Sequence, residues 1–400
     1  MRMKKLLVIG AGFLQDFVIR KAKSMGYEVL TVDADPNAVG FSHADKYRAI
    51  NIVDEQACLA YAMDEKIDGV LTAATEYGVL TASYIAREMG LPGLDYEVAR
   101  RIKNKYKVRK CLYENQVDDM SPVYEVNADT DIAALSDKIR FPVIVKPCDG
   151  SGSRGVSRVD DAASFGDACR FAMDHSKSRC ATVEPFVFGK EYGSESIVVD
   201  GAIHVLGIMR KWMTSPPYYA ELGHAIPSDL PTEIEERARE CVKRAIQALG
   251  INFGSVNMDM IITDDGCVHI IDVGARMGGN LIGSCLVPYG TGIDYMASMI
   301  QIALGEEPDF TNGCRSAVAS RLIVLKDSTV RRIPDFEELE RQYDVEIYHH
   351  HLEMGQRVRE YHTNLDGYGY IVARAGNSRL AIQKAETVLR LIQNILFDAD

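Results

Sequence analysis

Asp259 and Asp272 stand in strongly apolar company, MDMII and HIIDVG, in two strand-like runs joined by the turn signal DDG. An ionised carboxylate is costly to bury without a partner, so two of them on neighbouring strands ask for a cation. Magnesium takes one or two protein carboxylates and completes its shell with phosphate oxygens and water, which makes this pair suited to a nucleotide-bound metal. Arg276, four residues after Asp272, opens the glycine-rich turn RMGGN and could neutralise charge on a transferring phosphoryl group. Taken alone, the same residues also describe two strand-end acids paired with arginines.

A second constellation lies upstream. The apolar run FPVIVKP delivers Lys146 and leads into Asp149, Gly150, Ser151, Gly152, Ser153, Arg154 and Gly155. A lysine followed by small residues suits a polyphosphate, because backbone amides can approach its oxygens without side-chain obstruction. The pattern by itself equally fits a glycine-rich surface hairpin beside a solvated lysine. In ATVEPFVFGKEYGSESIVV, Glu184 and Glu191 flank an apolar patch and a glycine. Adenine asks for an apolar slot with backbone hydrogen bonds and ribose for a carboxylate acceptor, although exposed glutamates also simply solvate a surface.

Two further motifs carry less. Gly10, Ala11 and Gly12 follow a strand, with Asp33 at the end of the next one, as in a dinucleotide fingerprint, but Gln15 stands where the third glycine belongs. His349, His350 and His351 invite a metal reading, yet adjacent residues on a strand point to opposite faces and cannot all ligate one ion.

These residues need elements to hold them. KLLVIGAG, a helix from about Gln15 to Met25 and the strand EVLTVDAD form a βαβ opening, continued by a helix at Glu55 to Glu65, the strand GVLTAA and a helix from Gly78 to Met89. A basic helical stretch from Asp95 to Asn115 leads into SPVYEV, FPVIVKP, the helix DAASFGDACRFAMDH and the strands ATVEPFV and GSESIVVDG, which suit an antiparallel sheet with helices. Between Trp212 and Pro231, Pro, Tyr and small residues predict a loop; an amphipathic helix from Glu233 to Leu249 follows. The strand patterns SAVASRLIVL and YGYIVARA and the helix SRLAIQKAETVLRLIQNIL close the chain.

The 400 residues, 47% apolar and 26% charged, suffice for two or three domains in close contact. A net charge of −12 gives no broad electrostatic reason to bind nucleic acid or an anionic membrane. Nine cysteines without a C-x-x-C pair fit reduced thiols, not a disulfide frame or zinc site. The apolar run in MRMKKLLVIGAG is too short for a secretory signal, and no later run approaches the roughly 18 apolar residues of a membrane span. The expected location is the cytoplasm.

Taken in order, KNKYKVRK, FPVIVKP, DGSGSRG, EPFVFGKE, MDMII and IIDVGARMGGN resemble the ATP-grasp superfamily across about residues 100 to 285. The N-terminal unit looks like the domain preceding the ATP-grasp core in biotin carboxylase and carbamoyl phosphate synthetase, and the tail resembles their small C-terminal lobe. The implied fold is α/β, with α+β in the core: a parallel N-terminal domain over residues 1–93, an ATP-grasp core over 94–305 with a mobile lid at about 115–190, and a C-terminal lobe over 306–400. Within the superfamily PPYYAELGHAIPS resembles the dipeptide-forming L-amino-acid ligases.

The resemblance implies an ATP-dependent, ADP-forming ligase that joins a small-molecule carboxylate to an amine, both amino acids, through an acyl phosphate. Lys105 and Lys146 match the lysines on the ATP phosphates, and the loop with Ser151, Gly152 and Ser153 matches the phosphate cover. Glu184 and Val187 fall at the adenine hinge and Glu191 at the ribose. Asp259 and Asp272 fall on the positions that hold Mg2+, for which Mn2+ can substitute, and Arg276 on the arginine that steadies the acyl phosphate. Glu76, Glu221, His224 and Asn280 occupy positions near the amino-acid pocket, and relatives of this organisation are often homodimers. Two departures stand out: Asp272 replaces the usual Glu, shorter by about 1.5 Å, and Gly274 replaces a common metal-binding Asn. A bicarbonate-activating carboxylase and a nucleotide-binding regulatory protein are the alternatives.

Overall fold

The computed structural model describes residues 2–118, 122–150, 154–215, 218–311, 313, 315–363 and 366–397. Near the N-terminus, the apolar run Lys5–Ile9 lies between parallel neighbours Glu28–Asp33 and Gly69–Thr72, with Lys46–Ala49 at one edge. Such a run, buried on both faces, needs helices to cover it, and Phe13–Ser24, Glu55–Glu65 and Tyr77–Met89 do so. Asp54 starts the second helix by accepting the Ala57 N–H, and left-handed Gly90 ends the third. Apart from the edge strand Lys46–Ala49, which the sequence pattern did not predict, these elements follow the predicted alternation to within two residues.

The basic stretch from Asp95 to Asn115 is not one helix. It breaks into Tyr96–Ile102 and Lys105–Glu114, because the Asn104 side chain accepts the Lys107 N–H and caps a new helix. Lys105 thereby stands at the first position of that helix.

Further along, Tyr124–Val126, Ala181–Pro185, Val143–Pro147 and Ser157–Val159 form a small antiparallel sheet in that spatial order, backed by the helix Ala162–Asp174. Its neighbour is a large antiparallel sheet of eight strands: Val268–Gly274, Gly254–Ile262, Lys190–Val199, Ala202–Met213, Glu221–Ile226, Ala317–Leu322, Gly369–Ala375 and Val345–His349. The helix Thr232–Leu249 covers the first strands and Ser378–Phe397 the last.

The presumed loop between Trp212 and Pro231 is therefore corrected in part. Glu221–Ile226 is a strand, paired with Ala202–Met213 on one side and Ala317–Leu322 on the other. Its centre, Gly-His-Ala, lacks the β-branched and aromatic residues that signal a strand, and only its two neighbours make it one. This strand also carries the sheet across the expected division at residue 305 without interruption.

The N-terminal domain is sealed to the rest by one apolar cluster that joins Leu6, Val8 and Ile19 to Tyr295, Met299 and Ile300. At its rim Gly69 packs directly on the backbone of Ala303, so closely that a Cβ would overlap the carbonyl oxygen. Backbone cannot swing aside as a side chain can, so Gly69→Ala is expected to cost about 1–3 kcal/mol of stability. Urea unfolding of the two proteins checks this; an unchanged midpoint refutes the packing described.

Candidate active site

Asp259 and Asp272 are cross-strand partners, and the register shifts immediately after Asp259. Both face a cavity of about 580 Å³ between the large sheet and the small one. The small sheet contributes Lys146 and Glu184, and the segment that links it to the large sheet contributes Val187. Lys105, Glu191 and Glu221 complete the predicted residues that line it. Ser151, Gly152 and Ser153 lie outside the described residues, while Gly150 and Arg154 on either side also line the cavity.

Each aspartate has an ammonium partner: Lys105 Nζ is 2.5 Å from Asp272 and Lys211 Nζ 2.8 Å from Asp259. Lys211 is buried in the sheet and also stands 3.1 Å from Glu221 and 3.8 Å from Glu191. Burial opposes its charge, yet the three carboxylates, Asp259 foremost, hold its pKa above the usual lysine value. For Asp272, burial favours the acid, but the Lys105 ammonium overrides it and keeps the pKa below the usual range. Burial raises Glu191. Lys146 donates to Glu184 at 3.0 Å and to the Ile271 carbonyl at 3.2 Å, tying the small sheet to the strand that bears Asp272.

Arg276 lies just past the end of the same strand. Its Nε is 2.7 Å from Glu76, which sits at the start of the helix Tyr77–Met89. Gly274 makes the pairing possible: a Cβ there would stand 2.6 Å from Glu76 Oε1. Asn280 donates to Glu221 and accepts from the Tyr370 hydroxyl at 3.2 Å. Glu221 thus joins the lysine-carboxylate cluster to the array around Asn280.

His224, expected on a loop beside substrate, is instead buried within the sheet, its Nε2 3.8 Å from Glu221. Burial lowers its pKa to about 4, so the imidazole is neutral at pH 7.

Lys211 and Glu195 are site residues that sequence reasoning missed. Lys211 has a local signal, a charge among the apolar residues of GIMRKWM that needs a buried partner just as the aspartates do. Glu195 is buried, accepts from Asn257 Nδ2 at 2.8 Å, from the Gly278 N–H at 2.9 Å and from the Tyr295 hydroxyl at 2.8 Å, and its pKa is pushed up to about 8 by burial. Its neighbours in GSES are polar and gave no hint of burial.

The two weaker motifs have structural roles. Asp33 accepts the Ala11 N–H at 2.8 Å, and the Gln15 side chain fills the space beside Gly10 and donates to the Ala73 carbonyl. His349 stacks on Phe336, and His351 pairs with Glu353 at 2.7 Å. Among the described residues no group of three or more His, Cys, Asp or Glu side chains could hold a metal by themselves. Two opposed carboxylates at a cavity wall do fit magnesium, which draws its other ligands from phosphate and water. No helix among the described residues is long and apolar enough to cross a membrane.

The chain matches the ATP-grasp domain over residues 139–284 and the L-amino acid ligase C-terminal domain 2 over residues 321–396. An L-amino acid ligase from Bacillus licheniformis superposes with a TM-score of 0.86 at 23% identity over the full length of both chains. An uncharacterized protein of Sinorhizobium fredii is 28% identical over 354 residues, which cover 86% of this chain and 70% of that protein. Human carnosine synthase 1 is 22% identical over 76% of this chain, and the match spans 40% of its length.

The neutral imidazole of His224 has a pH signature. An unfolded histidine takes up a proton near 6.5 and the folded one only near 4, so stability present above 6.5 falls as pH drops and levels off below 4. Between those limits the protein is expected to lose up to about 3 kcal/mol more than His224→Gln. Urea unfolding at pH 7.5 and 4.5 measures the difference; parallel losses would discard the buried neutral imidazole.

Proposed function

We propose that this chain, which matches the ATP-grasp domain and the L-amino acid ligase C-terminal domain 2, joins two amino acids by an ADP-forming reaction through an acyl phosphate. The observation that carries this reading is one cavity lined by Lys105, Lys146 and two opposed aspartates, with Arg276 just past the end of the strand that bears Asp272. Phosphate needs the lysines, a hard cation the aspartates and a developing oxyanion the arginine.

ATP lies with its adenine at Glu184 and Val187, its ribose toward Glu191 and its phosphates on Lys105 and Lys146. Asp259 and Asp272 hold Mg2+ or Mn2+, which when bound offsets charge on the phosphate oxygens. Lys105 keeps Asp272 ionised, while Lys211 holds Asp259 in place against the burial that raises its pKa. The shorter Asp272 and the glycine at 274 leave fewer protein oxygens for metal.

A carboxylate oxygen of the first amino acid attacks the γ-phosphorus, the bond to the β-phosphate oxygen breaks, and ADP leaves. The amine nitrogen of the second attacks the acyl carbon; Arg276 stabilises the tetrahedral oxyanion, which collapses by expelling phosphate as the nitrogen gives its proton to solvent. Glu76, Glu221, His224 and Asn280 shape the amino-acid pocket, with carboxylates suited to an α-ammonium group. No side-chain nucleophile is required, because alignment of two bound reactants supplies effective molarities on the order of 10⁵ M or more.

Phosphate release from ATP, measured across a panel of amino-acid pairs with mass detection of the product, tests the proposal. The expected result is turnover that needs both amino acids and is lost with EDTA, and that falls on the order of 100-fold in Lys146→Ala. ADP formation that follows bicarbonate and ignores amino acids would assign a carboxylase instead. Tight ATP binding with no turnover under any mixture would leave a nucleotide-binding regulator.

A further inference from the structure

Behind Arg276, away from the cavity, lies a hydrogen-bonded assembly that no step above uses. Glu195 sits in the middle of the strand Lys190–Val199, opposite Asn257 in the register of the large sheet. One oxygen, Oε1, accepts from Asn257 Nδ2 at 2.8 Å and from the Gly278 N–H at 2.9 Å. The other, Oε2, accepts from the Tyr295 hydroxyl at 2.8 Å. Asn257 in turn offers its own carbonyl oxygen to Arg276 Nη1 at 3.5 Å. The residue is fully buried, so these are the contacts that hold it in place of water.

The backbone is fitted to the same carboxylate. A Cβ at Gly278 would overlap Glu195 Oε1, so the turn after Arg276 closes onto Glu195 only because that position is glycine. Tyr295, the first residue of the helix Tyr295–Ala303, reaches the assembly from the element that packs on the N-terminal domain. Three separate elements thus converge on one side chain, and what they share is the turn that begins with Arg276.

We propose that Glu195 is a positioning residue: through Asn257 and the Gly278 amide it fixes the Arg276 guanidinium and the Arg276–Gly278 turn against the site of phosphoryl and acyl transfer. The proposal rests on the role given to Arg276 above. Hydrogen-bond geometry, more than charge, carries it, and Glu195→Gln separates the two. In that variant the amide oxygen takes the place of Oε1, and the amide nitrogen donates to the Tyr295 oxygen. The tyrosine hydroxyl then turns to the Ser196 carbonyl, which lies 3.1 Å away.

The test is a double-mutant cycle in the amino-acid-dependent ADP assay. Glu195→Ala is expected to lower kcat about 100-fold with KM for ATP changed less than about threefold, and Glu195→Gln to stay within about fivefold of the parent. In an Arg276→Ala background, Glu195→Ala should cost no more than about threefold further, since a residue that acts through Arg276 has nothing left to position. Multiplicative losses, or a Gln variant as impaired as the Ala variant, overturn the proposal. If Glu195→Ala does not fold, Tyr295→Phe takes its place in the cycle, with the same criterion of non-additivity. If the parent protein turns over no amino-acid pair, the ligase reading fails on its own. Crystal structures of the parent and of Tyr295→Phe then decide the inference: an Arg276 guanidinium that keeps its place beside Asn257 overturns it, and one displaced by more than about 1 Å supports it.

Discussion

An ammonium ion sunk into a β-sheet has to be paired, and much of the arrangement around Lys211 follows from that constraint. Desolvating a lone charge costs several kcal/mol or more, whereas a cation among three carboxylates recovers that cost and fixes their positions. Asp259, Glu221 and Glu191 come from three different strands, and Lys211 from a fourth. A register slip in any of them would turn the charged residue to the opposite face and leave the others unpaired. The polar centre therefore specifies the sheet as much as the sheet presents the centre.

The same logic extends outward by pairs. Lys105 answers Asp272, Lys146 answers Glu184, and Glu76 answers Arg276, each pair joining two elements that are far apart in sequence. The N-terminal domain is thus linked to the large sheet by Glu76 and Arg276, and the small sheet by the Lys146 hydrogen bond to the Ile271 carbonyl, as well as by apolar packing. Glu195 adds a neutral-donor network on the far side of Arg276, so the guanidinium is gripped from the N-terminal domain in front and from the large sheet behind.

What could be read from the sequence was what a local pattern encodes. Asp259 and Asp272 announced themselves as charges in apolar strands, and Lys146 as the end of a strand before small residues; all three face one cavity. The parallel N-terminal unit followed from the alternation of apolar runs and helices. Other features depend on contacts that no local window contains. The strand Glu221–Ile226 has weak intrinsic propensity and exists because its neighbours supply both hydrogen-bonded edges. His224 accordingly lies in a strand, where composition had predicted a loop. Asn104 divides a run of good helix formers with a single side-chain cap. Glu195 is hidden by polar neighbours that are themselves buried.

The unbroken sheet from Val268–Gly274 to Val345–His349 bears on how such a protein can be recombined. Its seam is the hydrogen-bonded edge between Glu221–Ile226 and Ala317–Leu322, and Glu221, which contacts Lys211 on one side and Asn280 on the other, sits at the end of that edge. Tyr361 and Tyr370, both from beyond residue 316, reach across to Glu221 and Asn280. The C-terminal lobe is consequently bonded to the polar cluster around Glu221 and cannot be exchanged as a cassette. A chimaera that imports a foreign lobe must also import the strand that zips to it, and with that strand comes a carboxylate wired to Lys211.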